Sequence, residues 1–566
     1  MTNAMHPAAT RFFLVSILSP AFGIVSSITT PLQGAPAIGI ENPQDALIAP
    51  AGVRRSIGIR IFISESDDAR PSRLRCRLRH YQFGLDFDPS SPHDYNRTLA
   101  LPPSTGPAPL RAPLEITLPT PGLYQLELSA ITPDGTVLVT TSTRLAAILP
   151  RKANTTPPDD WGVCTHFGHK KGTIPRSLEL VRLAGFSRIR DEVYWDSIEK
   201  KPGEFVFPES ADAYIKTAST LGLRPLLVLA YGNGKTYPSA FAGGKGFPES
   251  PEARALFVRY AREMVTRYQP RVKDWELWNE PHSWGKASPE TYTALLKEVY
   301  PEIKSIDPEA TVISCGGGGA GGGPGAQYIT GIRDNGGLDY QDAFSIHPYM
   351  APGNNPDTGY PANNSPLPRV SIPVVWPHLQ NFINHNRRTN GKPLGLWVTE
   401  IGWFTSPVTF ANPELTQAAW FARTYLLARR HATARAVFWY DFQDDGNNPE
   451  NKEHHFGLIT ADYQPKPSYV TAATLSATLG NRPWRKAHVE NDDVKIFEYK
   501  SASGESGTMI AGWTVFNEPR AVAVQLPAGR YLRRDWRGQE TPVIIPGGRA
   551  WKWKLGPMPE YLMPHP

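Results

Sequence analysis

Between Val272 and Cys315 the chain reads VKDWELWN (272–279), then PETYTALLKEVYPEIKSI (289–306), then TVISC (311–315). The first and last pieces are short apolar runs of strand length, and the middle piece carries a helical pattern. Strand, helix, strand in that order is a βαβ unit. The alternation continues on both sides. Strand candidates fall at Trp161–Gly168, Ser187–Trp195, Arg224–Tyr231, Val272–Asn279, Thr311–Cys315, Ala343–Tyr349, Leu394–Glu400 and Ala434–Tyr440. Helical stretches such as Pro251–Tyr268, Pro289–Ile306 and Leu415–His431 lie between them. A βα unit repeated eight times across 151–480 predicts an α/β fold of the (β/α)8 TIM-barrel type. The rival, an open doubly wound sheet, normally carries a Gly-rich phosphate turn after its first strand. Phe167-Gly168-His169-Lys170 is no such turn.

Outside this block the period changes to two. From 38 to 150, runs such as Ile57–Ile63, Leu114–Leu118 and Tyr124–Leu128 alternate apolar and polar residues, with turn signals such as Pro133-Asp134-Gly135 between them. That pattern predicts a β-sandwich, and Pro121–Tyr124 resembles the bacterial immunoglobulin-like modules attached to secreted enzymes. From 481 to 566 the alternation returns at Val494–Tyr499, Ala521–Gln525 and Trp551–Lys554 and predicts a second, smaller β-sandwich. Its tryptophans are read as core in preference to sugar contacts. In the first 37 residues, Arg11 precedes an apolar run, Phe12–Ile28, broken by Pro20, and Ala35-Pro36-Ala37 has the form of a signal-peptidase site. A cleaved or uncleaved secretory signal is expected, with a periplasmic or extracellular destination. No other segment has the roughly 20 apolar residues of a membrane span.

Composition narrows the function classes. The chain has 566 residues and a net charge of only +6, with basic and acidic residues interleaved. A nucleic-acid partner would call for a concentrated basic stripe, so none is expected. Three cysteines, Cys76, Cys164 and Cys315, are too few and scattered for a disulfide framework or a thiolate zinc site. Proline, 56 residues, is about twice its usual ~5% share, so loops are abundant.

In a barrel of this kind, function gathers where strands pass into the following loops. The fourth candidate strand ends Trp275-Glu-Leu-Trp-Asn-Glu-Pro281 and the seventh ends Leu396-Trp-Val-Thr-Glu-Ile-Gly-Trp403. Each delivers one glutamate, Glu280 and Glu400, inside an apolar and aromatic run. Carboxylates are costly to bury without partners. Two of them meeting at one mouth suit glycoside hydrolysis, in which one must be held protonated and the other ionised.

Trp278-Asn279-Glu280-Pro281 followed by Thr399-Glu400-Ile401-Gly402-Trp403 resembles clan A of the glycoside hydrolases. Further matches fall in order: Ile189-Arg190, then Trp195, Ile198-Glu199 and Pro202-Gly203-Glu204; Ser345–Tyr349; Val437–Tyr440; His455–Ile459; Pro465–Tyr469; and, in the tail, Gly556–Leu562. The likeness spans Trp161 to Gly480, with an echo to the end, and is nearest to family 39 and its relatives, which include β-xylosidases and exopolysaccharide-cleaving enzymes. It implies a retaining enzyme that needs no cofactor or metal and takes a carbohydrate substrate. In that likeness Glu280 is the acid/base and Glu400 the nucleophile. Asn279 bonds the sugar 2-hydroxyl. Arg190 lies beside Glu400 and favours its ionised form. His347 and Tyr349 line the floor and orient the carboxylates. Trp439 is the platform under the sugar, and His166 binds the glycone. Glu276 and Trp278 alternate with Glu280 and would share the barrel interior, with Glu276 structural.

Each of these residues also has an ordinary structural reading, as an ion pair, a core histidine or a packed tryptophan. His166 and His169, three apart, match no known zinc spacing. The glycine run 316–325 lacks the ending of a phosphate loop and is read as a flexible rim loop. The absence of a Gly-x-Ser-x-Gly elbow argues against an α/β-hydrolase. Three long loops, Tyr231–Pro248, Tyr349–Ser371 and Asp441–His454, border the proposed mouth, where Trp284, Trp403, Tyr231 and Tyr349 are candidates for aglycone contacts. Two rivals remain: a non-catalytic carbohydrate-binding protein on the same scaffold, and a transglycosylase with the same site.

Overall fold

In the computed structural model, the described residues are 36–63, 70–81, 95–103, 108–152, 156–242, 244–283, 285–318, 324–361, 367–406, 412–432, 434–501, 507–516 and 518–565. The signal-like segment up to residue 35 and Trp284 lie outside them. Eight parallel strands close into a barrel: β1 Trp161–Cys164, β2 Arg188–Glu192, β3 Arg224–Leu229, β4 Asp274–Leu277, β5 Thr311–Gly318, β6 Ala343–His347, β7 Gly395–Ile401 and β8 Val437–Trp439. The ring closes through β1, where Val163 pairs with Ile189 on one side and Trp439 on the other. Helices follow the strands in turn: α1 Arg176–Ala184, α2 Glu209–Thr220, α3 Pro251–Tyr268, α4 Pro289–Ile306, α5 Pro324–Asp334, α6 Ile372–His385, α7 Glu414–His431 and α8 Pro467–Leu479.

Local chemistry explains the regular helices. Ser250 and Ser288 cap α3 and α4 by accepting from the amides of Ala253 and Thr291, and each is followed by a proline at the first helical position. In α4, Tyr292, Leu295, Leu296, Val299 and Ile303 form one buried stripe. By contrast, α7 and α8 are buried almost all round, because they are covered on the outside as well. α8 packs against the strands Gly122–Ile131 and Val137–Ile148. α7 buries Arg423, which donates to the carbonyls of Thr514 and Pro557 in the C-terminal region.

Those outer layers are β-sheets. Before the barrel, an antiparallel three-stranded sheet (Ala37–Ile40, Arg54–Phe62, Leu110–Thr117) and a five-stranded sheet (Ile48–Pro50, Val137–Ile148, Gly122–Ile131, Arg73–His80, Tyr95–Ala100) bury alternate residues such as Ile57, Ile59, Leu74, Leu126 and Leu128. After the barrel come a six-stranded and a two-stranded sheet with their own core around Ile496, Ile510, Trp553 and Leu562. Trp553 is fully buried, so it is core. Among the described residues no helix is long and apolar enough to cross a membrane.

Two expectations are corrected. The glycine run is not wholly a loop: β5 continues through Gly318 after a register shift between Ser314 and Gly317. Gly316 sits there at φ +50°, where a Cβ would come within 2.9 Å of His347 Nε2. Only a residue without a side chain fits both the backbone and the imidazole. Trp278 does not share the barrel interior with Glu276. β4 ends at Leu277, Trp278 turns to φ 66°, and its ring packs on Phe247 and on Phe257 of α3. The period-two rule stops where the strand does.

Candidate active site

The C-terminal ends of the strands open into a cavity of about 790 Å³ lined by Arg190, Asn279, Glu280, Tyr349 and Glu400. Glu400 is the penultimate residue of β7, and Glu280 lies three residues past β4 at φ 44°. Together with His347 at the end of β6 they bring one oxygen or nitrogen each within 4.8 Å of one another.

Arg190 of β2 organises the floor. Its guanidinium donates to Glu276 at 2.6 Å, to Glu400 at 2.7 Å and to the Asn279 side-chain oxygen at 2.8 Å, with the arginine itself buried. The second oxygen of Glu400 accepts from the Tyr349 hydroxyl at 2.8 Å. His347 Nδ1 lies 3.0 Å from Glu280 and 3.5 Å from Glu400, and its Nε2 lies 3.0 Å from Thr399 Oγ1, which donates to Glu276 at 2.7 Å.

The two carboxylates therefore live in different surroundings. Glu400 faces a guanidinium and a phenol. Glu280 faces an imidazole. Burial pushes Glu280 up, but the bond to His347 and the charges of His347, His282 and Arg190 outweigh it and hold Glu280 below the usual carboxylate range. Burial pushes His347 down, and the charge of Glu400 with the bond to Glu280 overcomes this and raises it. Both shifts have the same physical cause, the short contact between the Glu280 carboxylate and the His347 imidazole.

The expected residues divide. Arg190, Asn279, His347 and Tyr349 converge on the glutamates as described. Trp439 does not: it is fully buried, packs on Trp403 and Phe421, and is absent from the cavity lining. The next residue, Tyr440, lines the cavity in its place. Trp403 borders the cavity but is 1% exposed, with its indole N–H on the Asn354 carbonyl. His166 lines the cavity and bonds Asp445 at 2.9 Å.

Several lining residues were not anticipated. Glu192, which shares the face of Arg190 on β2, places one carboxylate oxygen 3.6 Å from His169 Nε2. His169 stacks on His166 and bonds the Tyr194 hydroxyl. Lys245 lies 4.0 Å over the Tyr194 ring. Asp445, Lys452 and Glu453 come from the loop after β8, and Met350, Pro352, Phe404 and Phe456 make an apolar wall. Strand alternation would have found Glu192, whereas loop residues carry no such signal.

His166, Asp441 and Asp445 form a second group with ligand-type atoms within 4.8 Å of one another. Burial would lower His166, but its bond to Asp445 and the charges of Asp441 and Asp445 push it up to about 10. Lys171 donates to the Asp445 backbone carbonyl and places a second cation beside this group.

No family model matches the sequence. Among curated proteins, a probable mannan endo-1,4-β-mannosidase C of Aspergillus terreus is 30% identical over 131 residues, 20% of this chain, so the match spans about a third (32%) of that relative's length. Mannan endo-1,4-β-mannosidase 3 of Arabidopsis thaliana is 27% identical over 318 residues, 48% of this chain and 71% of its own. Among solved structures, a family 39 glycoside hydrolase from the gut symbiont Bacteroides cellulosilyticus WH2 is 34% identical, with a TM-score of 0.78 over 93% of this chain and 100% of that one. A likeness of that identity over the full length of the relative places this chain in glycoside hydrolase family 39.

Proposed function

We propose that this protein is an exported retaining β-glycosidase that hydrolyses O-glycosidic bonds of an oligo- or polysaccharide by double displacement. The observation that carries the reading is the separation of the two glutamates. An oxygen of Glu280 lies within 4.8 Å of one of Glu400, close to the ~5–5.5 Å of retaining enzymes and short of the ~6.5–9.5 Å that leaves room for an inverting water.

In the first step Glu400, oriented by Arg190 and Tyr349, attacks the anomeric carbon while Glu280 protonates the leaving oxygen. In the second, Glu280 takes a proton from water, which displaces Glu400 from the sugar. Asn279, held by Arg190, bonds the 2-hydroxyl, a contact that strengthens as charge develops at the anomeric carbon. His166 and Asp445 hold glycone hydroxyls. Export is supported by the leader-like sequence before Ala37. The names of two relatives bring β-1,4-mannan into the substrate panel.

The open cavity with convergent carboxylates favours catalysis over a purely binding role. A transglycosylase shares every residue and is separated by products formed with and without added sugar acceptors. The direct test is a panel of aryl glycosides and polysaccharides, followed by Glu400→Ala on the best substrate. Turnover should be abolished, and azide should restore activity by giving the inverted glycosyl azide. Undiminished turnover in that variant overturns the nucleophile assignment.

A further inference from the structure

Five contacts join the two carboxylates through the barrel floor. They run from Glu400 to Arg190 (2.7 Å), Arg190 to Glu276 (2.6 Å), Glu276 to Thr399 (2.7 Å), Thr399 to His347 (3.0 Å) and His347 to Glu280 (3.0 Å). The direction of each bond follows from proton inventory. Glu276, paired with Arg190, only accepts, so the single hydroxyl proton of Thr399 goes to it. Thr399 Oγ1 must then accept from His347 Nε2–H. With Nε2 committed, Nδ1 either carries a second proton and donates to Glu280 or is bare and accepts one from it. In both cases that 3.0 Å contact holds one proton. Gly316, where even a Cβ would come within 2.9 Å of Nε2, closes the other side of the ring.

We propose that Thr399 is a positioning residue for acid catalysis: it pins the His347 proton on Nε2, so that the Nδ1–Glu280 contact stores the proton that Glu280 delivers to the leaving oxygen. This rests on the reading of Glu280 as the acid/base. Without the hydroxyl, a neutral imidazole can carry its proton on Nδ1, and the same contact is then filled while Glu280 stays ionised. The charged and titratable groups around the pair are Glu400 from β7, Arg190 from β2, Glu276 from β4 and His282 beyond it.

The test compares Thr399→Val and Thr399→Ser on two aryl glycosides of one sugar, with 2,4-dinitrophenol and phenol as leaving groups. Only the second needs an acid. In Thr399→Val, kcat/KM on the phenyl glycoside should fall about 100-fold, the lower end of what general acid catalysis contributes, against about fivefold or less on the dinitrophenyl glycoside. The alkaline limb of the pH profile should move down, and Thr399→Ser should restore both. Equal losses on the two substrates, an unmoved alkaline limb or failure of serine to rescue would overturn the proposal. Glu280→Ala on the same pair separates the two levels. If its loss is leaving-group dependent while that of Thr399→Val is not, the Thr399 role alone fails. If its loss is equal on both, the acid/base reading fails and takes the Thr399 role with it. Nitrogen-15 shifts of His347 in the wild-type protein need no variant: a proton on Nε2 across the pH profile is expected, and a bare Nε2 beside a protonated Nδ1 refutes the idea.

Discussion

Replacing Arg190 with lysine keeps the charge and removes the fork. The guanidinium sends separate N–H vectors to Glu276, Glu400 and Asn279, at 2.6, 2.7 and 2.8 Å. An ammonium is a point donor on a flexible stem and cannot span all three. Glu400 would keep the Tyr349 hydroxyl and lose one of its two donors. A hydrogen bond to a charged group contributes about 1.5–3 kcal/mol, and roughly 1.36 kcal/mol is tenfold in rate, so kcat/KM should fall about 10- to 150-fold. Arg190→Leu goes further. It strands two buried carboxylates, Glu276 and Glu400, with a stability loss of about 3–5 kcal/mol for a broken buried pair. Adding Glu276→Gln to Arg190→Leu should recover part of that loss, since one stranded charge is gone. The assay is kcat/KM on a dinitrophenyl glycoside, where no acid is needed. A lysine variant within twofold of wild type would refute the assignment of Arg190 as the partner of the nucleophile.

Two further outcomes follow from the same geometry. His166 should titrate near 10 by NMR, not near the ordinary ~6.5. Its folded value is raised, so its contribution to stability is full below the unfolded value and is lost as pH rises through about 10; a midpoint near 6.5 refutes the ion-pair reading. Trp439→Leu should destabilise the barrel by about 2–4 kcal/mol through lost packing and leave KM nearly unchanged, whereas Tyr440→Ala should raise KM; a thermal melt and steady-state kinetics check both, and the reverse pattern would return the platform role to Trp439.

The barrel was legible because a parallel strand buried on both faces writes a short apolar run, and eight such runs separated by helices admit few other topologies. The glutamates were legible because each lies at or just past a strand end, Glu400 inside β7 and Glu280 three residues beyond β4, so the strands fix the rim on which they emerge. Legibility failed where the backbone left the strand. Trp278 and Glu280 take positive φ, which breaks alternation and sends the indole toward α3. The aromatic residue of this segment that reaches the cavity was misplaced by one position, Trp439 for Tyr440, at the point where β8 ends. Asp445, Phe404 and Phe456 were invisible because their place depends on loop paths that no periodicity encodes. α7 and α8 show no apolar stripe in sequence because their outer faces are covered by sheets far away in the chain.

The split between strand-borne and loop-borne residues predicts which substitutions change chemistry and which change substrate choice. Met350, Ala351 and Pro352, in the cavity wall, belong to a segment that also contains Asp357. Asp357 is buried and accepts from Trp513 Nε1 at 2.7 Å and from Arg423 at 3.2 Å, so α7 and the C-terminal sheet grip this wall from behind. The wall is also tied to the loop after β7, through the Gly353 amide on Asn412 and the Trp403 indole on the Asn354 carbonyl. Trp513→Phe removes one N–H from the Asp357 carboxylate and little volume. The bond contributes about 1.5–3 kcal/mol, so if its loss is expressed in the wall, KM for an extended oligosaccharide can rise by up to about 10- to 150-fold. The carboxylate pair is held by β2, β4, β6 and β7 and does not touch this segment except through Tyr349, so kcat on a small activated glycoside should stay within about twofold of wild type. Steady-state kinetics on the two substrates decides. Equal effects on both would mean that the C-terminal sheet only stabilises the barrel, and no effect on either would mean that the β7 loop alone sets the wall.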